Sequence, residues 1–204
     1  KLHAEENGSD DDGLYEERSH TTQPKGIALL NKGLSSYYGG FYASAVLEFT
    51  QCIEMDGLMA QAHLYRYRGT SYYHVAEYQK AIADFELALQ LDPTFNTYYN
   101  MGLAYAAVGE HHKCIENFTR SLALHPNEHE AYNNRGVAHR LVGNLNSAIA
   151  DFTAAIHLSP KYSTAYLNRK CYNMFCVFMF QAHRAANSSA SSKVRSKTFR
   201  RRLN

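Results

Sequence analysis

The sequence predicts an all-α solenoid built from repeated helix pairs. Three observations carry that prediction. A spaced motif of aromatic, glycine, alanine and proline residues recurs along the chain. The recurrence is 33 residues between Gly69 and Gly102, and 34 between Gly102 and Gly136. Short turn sequences fall midway through each unit, and a proline closes it. A fixed period in this range marks stacked supersecondary units, none of which buries its apolar face alone.

The clearest copies are Tyr65, Gly69, Tyr72, Ala81, Phe85, Ala88, Pro93, then Tyr98, Gly102, Tyr105, Cys114, Phe118, Ser121, Pro126. The third is Tyr132, Gly136, His139, Ala148, Phe152, Ala155, Pro160. A weaker copy upstream comprises Gly33, Ala45, Phe49, Cys52 and Gly57, and Ala165 to Arg169 opens another downstream. Each unit accommodates two helices of about fourteen residues, each roughly 20 Å long. Gly69, Gly102 and Gly136 sit inside the first helix, where glycine costs about 1 kcal/mol against alanine. That cost is reasonable where a neighbouring helix approaches closely. Ala81, Cys114 and Ala148 give the second helix a small surface, and Phe85, Phe118 and Phe152 fill the space between helices. Pro93, Pro126 and Pro160 end the second helix, because an internal proline removes a hydrogen bond and clashes with the preceding turn. The triplets 76–78, 109–111 and 143–145 mark the turns within repeats. Tyr65, Tyr98, Tyr132 and Tyr166 are expected in the core, and Glu48, Asp84, Asn117 and Asp151 on a solvated helix face.

Composition restricts the function classes. The chain has 204 residues, is 45% hydrophobic and 20% charged, and carries a net charge of +2, which does not point to nucleic acid or membrane. Acidic residues cluster at the start (Glu5, Glu6, Asp10 to Asp12, Glu16, Glu17) and basic ones at the end (Lys193, Arg195, Lys197, Arg200 to Arg202). Charged ends of this kind are expected to stay solvated. Cys52, Cys114, Cys171 and Cys176 match no zinc or CxxC spacing and read as reduced, buried thiols. No secretory signal is seen, and the longest apolar run, about 171–180, is half a membrane span. No phosphate loop, GxSxG elbow or HExxH motif occurs, so neither catalysis, a cofactor nor a metal is expected. His111, His112, His125 and His129 lack the matched ligands of a zinc site and read as surface histidines. The sequons at Asn7, Asn117 and Asn187 read as chance matches.

On the motifs above, the chain resembles the tetratricopeptide repeat (TPR) family over about 26–169. The resemblance implies a right-handed superhelical solenoid of antiparallel helix pairs. It divides the chain into an acidic, disordered segment (1–25), repeats at about 26–61, 62–94, 95–128 and 129–162, a partial repeat (163–169), and a divergent tail (170–204). In the tail, Lys170 and Asn173 replace the expected Gly and Tyr, and an apolar run gives way to serine-rich and basic sequence. Either the last helix extends into a cap, or the terminus is replaced; the abrupt break favours replacement.

The family implies protein–protein scaffolding, inside the cell and cytoplasmic, with membership of ciliary complexes among its uses. Its first helices line a concave groove, and the position two before each glycine faces that groove. Here it reads Asn31, Tyr67, Asn100, Asn134 and Asn168. The pattern resembles the asparagine ladder of peptide-binding family members. An asparagine amide offers two donors and an acceptor, so it pairs with both groups of a peptide backbone. Tyr67 interrupts the ladder. Another family use, the clamp for chaperone C-terminal carboxylates, needs basic residues at two positions. Those positions hold Glu130 and Asn134 in one frame, and Asn96 and Asn100 in the other, with Arg66 nearby. Apart from the family, the basic tail itself offers an alternative, contact with nucleic acid or an anionic surface through Lys193 to Arg202. Phe199 alone offers stacking there, and a solvated or replaced terminus is the favoured reading.

Overall fold

The computed structural model describes residues 13–55 and 61–170. These form eight helices: α1 (Gly13–Tyr38), α2 (Tyr42–Met55), α3 (Ala62–His74), α4 (Tyr78–Leu91), α5 (Phe95–Ala107), α6 (His111–Leu124), α7 (His129–Leu141) and α8 (Leu145–Leu158). Residues 163–170 are also helical, and no strand occurs among the described residues. The chain forms two compact units, one running to Leu124 and the other starting at His125. In the first, α1 pairs with α2, α3 with α4 and α5 with α6, while α2 packs on α3 and α4 on α5. In the second, α7 pairs with α8.

The turns inside the pairs share one device. Gly40, Gly109 and Gly143 adopt φ values of 78°, 80° and 79°. In the α5–α6 turn, Gly109 N–H donates to Ala106 O at 3.1 Å and Glu110 N–H to Tyr105 O at 3.0 Å. This pairing around a left-handed residue satisfies the last carbonyls of the helix. Ala76 takes the same place between α3 and α4 with φ 63°. Prolines terminate the second helices through the residue before them. Asp92 and Ser159 are extended, with ψ 100° and 88°, as the proline ring requires of its predecessor.

Phenylalanine and glycine fit together in every pair. Phe49, Phe85, Phe118 and Phe152 are fully buried. A Cβ on Gly102 would lie 2.9 Å from Phe118 Cε1, and one on Gly136 2.8 Å from Phe152 Cε1. The close approach comes from the partner helix of the same repeat. Ala45, Ala81, Cys114 and Ala148 have no exposed surface. Burial pushes the Cys114 thiol up to about 12 and also raises Cys52, so both free thiols resist forming the reactive thiolate.

Three expectations need revision or restriction. Residues 13–25, expected within a disordered acidic segment, belong to α1; the first twelve residues lie outside the described part. Leu29, Leu30, Leu34 and Tyr37 of α1 pack on the core of the first pair. Tyr65, Tyr98 and Tyr132 are half-buried and Tyr166 is 41% exposed, so this stripe rims the core instead of filling it. An arginine covers each ring at 5.4–5.8 Å: Arg68, Arg120, Arg135 and Arg169 respectively. Cation and phenol together keep one edge of each tyrosine at the surface. The cap and replaced-terminus readings of the tail, with Cys171 and Cys176, fall outside the described residues.

Candidate partner-binding surface

The acidic position before each core phenylalanine is buried, contrary to the expectation of a solvated face. Glu48, Asp84, Asn117 and Asp151 are 4–6% exposed. Arg68 meets Asp84 through two bonds of 2.8 Å, and Arg135 meets Asp151 through bonds of 2.9 and 2.7 Å. Lys32 reaches Glu48 at 3.2 Å. The cation precedes the glycine of the first helix, so the pair always spans sixteen residues. A carboxylate removed from water beside the core phenylalanine requires such a partner. The signal was present in the sequence as opposite charges at fixed spacing. The third repeat breaks it with Met101 and Asn117, where Asn117 Nδ2 donates to Lys113 O at 2.8 Å.

The residues of the groove stripe differ in environment. In the first unit, Asn31 is exposed on α1. Tyr67 on α3 lies half-buried in an aromatic cluster, 5.1 Å from the Tyr37 ring and 5.7 Å from Phe49. Asn100 on α5 is half-buried and donates from Nδ2 to Thr70 Oγ1 at 3.2 Å, while Thr70 donates to Arg66 O at 2.8 Å. In the second unit, Asn168 Nδ2 donates to Asn133 Oδ1 at 2.9 Å, and Asn133 Nδ2 to Asn134 Oδ1 at 3.4 Å. Asn133 is 3% exposed and links the two stripe residues. The periodicity of one asparagine per repeat does not include it, and the doublet 133–134 is its signal in the sequence.

The histidines are mixed. His112 is exposed, His125 Nδ1 lies 3.1 Å from Glu128, and His129 stands edge-on to Tyr162 at 4.7 Å. His111 is half-buried with Nδ1 sealed from solvent and unbonded. His139 Nε2 lies 3.9 Å from Asp151, and burial depresses its pKa against the pull of that carboxylate. Among the described residues, no helix is long and apolar enough to cross a membrane.

Helix pairs with a glycine–phenylalanine seat and a proline stop define a helical-repeat protein. Comparison with known proteins agrees. Three tetratricopeptide repeat models match residues 62–95, 95–128 and 129–162. No curated protein matches the sequence. Among solved structures, MamA is 25% identical with a TM-score of 0.64, covering 73% of this chain and 86% of its own. YrrB, described as a TPR protein with an unusual peptide-binding site, is 19% identical with a TM-score of 0.66, covering 79% and 83%. The first TPR of Spaghetti (RPAP3), bound to the HSP90 peptide SRMEEVD, is 20% identical with a TM-score of 0.56, covering 57% and 94%. The chain belongs to the tetratricopeptide repeat family.

Proposed function

We propose that this chain is a non-catalytic, intracellular scaffold that binds an extended or helical segment of a partner protein along its first helices. The observation that carries the reading is the recurrence of asparagine two residues before the motif glycine at Asn31, Asn100 and Asn134, and two before Lys170, which takes the glycine's place, at Asn168. Asn100 and Asn168 each spend one N–H on a neighbour within the fold. Each such amide has a second N–H and a carbonyl oxygen beyond that bond. The internal bond fixes the amide plane, so little rotamer freedom is lost when a peptide backbone pairs with it. Recognition of backbone rather than side chains makes the groove tolerant of sequence. Tyr67, held in its aromatic cluster, replaces that polar reading with an apolar face.

Affinity capture with the wild-type chain beside an Asn100→Ala/Asn134→Ala variant tests the reading, followed by titration of the recovered segment. Two bonds of about 1 kcal/mol each predict a loss of roughly 30-fold in affinity. Unchanged affinity with intact helical circular dichroism refutes it. An acidic peptide with a free C-terminal carboxylate, of the chaperone-tail kind, serves as the control and is expected not to bind.

A further inference from the structure

The second and third repeats differ at one place that matters. In the second, the Arg68 guanidinium occupies a built seat. Its Cζ lies 5.7 Å from the Tyr65 ring and 5.8 Å from the Tyr72 ring. Asp84 takes two of its bonds, and Thr50 Oγ1, one residue after Phe49 on the preceding pair, takes a third at 3.2 Å. One repeat further on, the same positions hold Tyr98, Tyr105, Asn117 and Glu86, the last one residue after Phe85. The position of the arginine itself holds Met101. Tyrosine rings, an amide and a carboxylate are thus assembled around a side chain with no charge.

Space is left there. An open cavity of about 510 Å³ is lined by Tyr98, Met101, Tyr105, Glu86 and Asn117, with Lys113 and Arg120 at its edge. Tyr105 Oη donates to Glu86 Oε1 at 3.4 Å, so the carboxylate is turned toward the ring. Lys113 lies 5.3 Å from the Tyr105 ring, but Lys80 lies 5.7 Å from Tyr72 while Arg68 is in place. The lysine is therefore compatible with a seated guanidinium. Arg120 reaches Tyr98 at 5.8 Å, yet its guanidinium pairs with Glu116 at 2.6 Å and its side chain is 57% exposed. It borders the cavity without filling it.

We infer that this cavity is a binding seat for the guanidinium group of an arginine supplied from outside the chain. The Tyr98 and Tyr105 rings flank the planar cation, Glu86 balances its charge, and Asn117 Oδ1 accepts a hydrogen bond. A planar fork fits such a seat, and a compact, strongly hydrated ammonium fits it poorly. None of these residues belongs to the asparagine stripe, so the inference stands apart from the groove reading.

The test is an NMR titration of the full chain, observing the Met101 methyl and tyrosine ring signals. The probes are blocked Gly-Gly-Arg-Gly-Gly, its lysine and citrulline counterparts, and Nα-acetyl-arginine amide. The arginine peptide is expected to bind at least about fivefold more tightly than the lysine or citrulline peptide. Met101→Arg with Asn117→Asp installs the chain's own guanidinium pair, as in the second repeat. That variant is expected to stay folded and lose binding tenfold or more, read on the tyrosine signals. Glu86→Gln, at an exposed position, weakens binding about threefold or more without touching the core. Tighter binding by the peptide than by the single blocked residue identifies a polypeptide source; equal binding identifies free arginine; both uphold the seat. Equal affinity for the arginine and lysine peptides, or full binding by the folded double variant, overturns it.

Discussion

Arg68 and Asp84 show that losing one member of a buried pair differs from losing both. Asp84→Ala leaves a guanidinium with its side chain only 15% exposed, so stability should fall by about 3 kcal/mol. Arg68→Met combined with Asp84→Asn copies the solution already present at Met101 and Asn117. It should cost far less than the single change, and urea unfolding followed by circular dichroism measures the cycle. His139 gives the chain a pH dependence. Burial holds its folded pKa below the ordinary 6.5, with Arg135 acting in the same direction and Asp151 opposing. The unfolded chain therefore binds the proton more readily between the two values. Its contribution to stability is full above about pH 6.5 and is lost as pH falls through the depressed value. His63, lowered by burial and Arg66, has the same sign. His139→Gln should flatten the acid side of the profile of thermal midpoint against pH.

At the scale of the element, each helix pair depends on its turn and its glycine seat. Ala76 occupies the left-handed place where the other turns have glycine. Ala76→Gly should stabilise the protein by about 1 kcal/mol, since a left-handed alanine carries a strain of that order. A lower urea midpoint would show that chain entropy outweighs the strain. Gly136→Ala sets two effects against each other. Helix propensity gains about 1 kcal/mol, while the new Cβ meets the Phe152 ring at 2.8 Å and overpacking costs about 1–3 kcal/mol. Phe152 has no exposed surface into which to retreat, so the variant should unfold at lower temperature. These elements were legible in the sequence because a proline stop, a glycine turn and a phenylalanine core each leave one residue at a fixed spacing. The buried acids are not legible in the same way, because a charged residue reads as solvated until its partner is located. That partner lies sixteen residues away on another helix, beyond the reach of any helical periodicity.

At the scale of the whole molecule, the residues that define the repeat and those of the asparagine stripe are different sets. Glycine, phenylalanine and proline hold the helix pairs and say little about a ligand, whereas the tyrosines at the rim of the core also line the cavity of the third repeat. The stripe of Asn31, Tyr67, Asn100, Asn134 and Asn168 lies between them, and the double alanine variant tests binding with little demand on the core. Amino-acid sequence by itself determined the helical repeat, its period and its family, because stacked units must repeat the same few packing residues. Only the tertiary structure decided which polar residues are buried, that the tyrosine stripe rims the core, and that Asn133 links Asn134 to Asn168. Burial and partnership arise between helices, so no single stretch of chain encodes them.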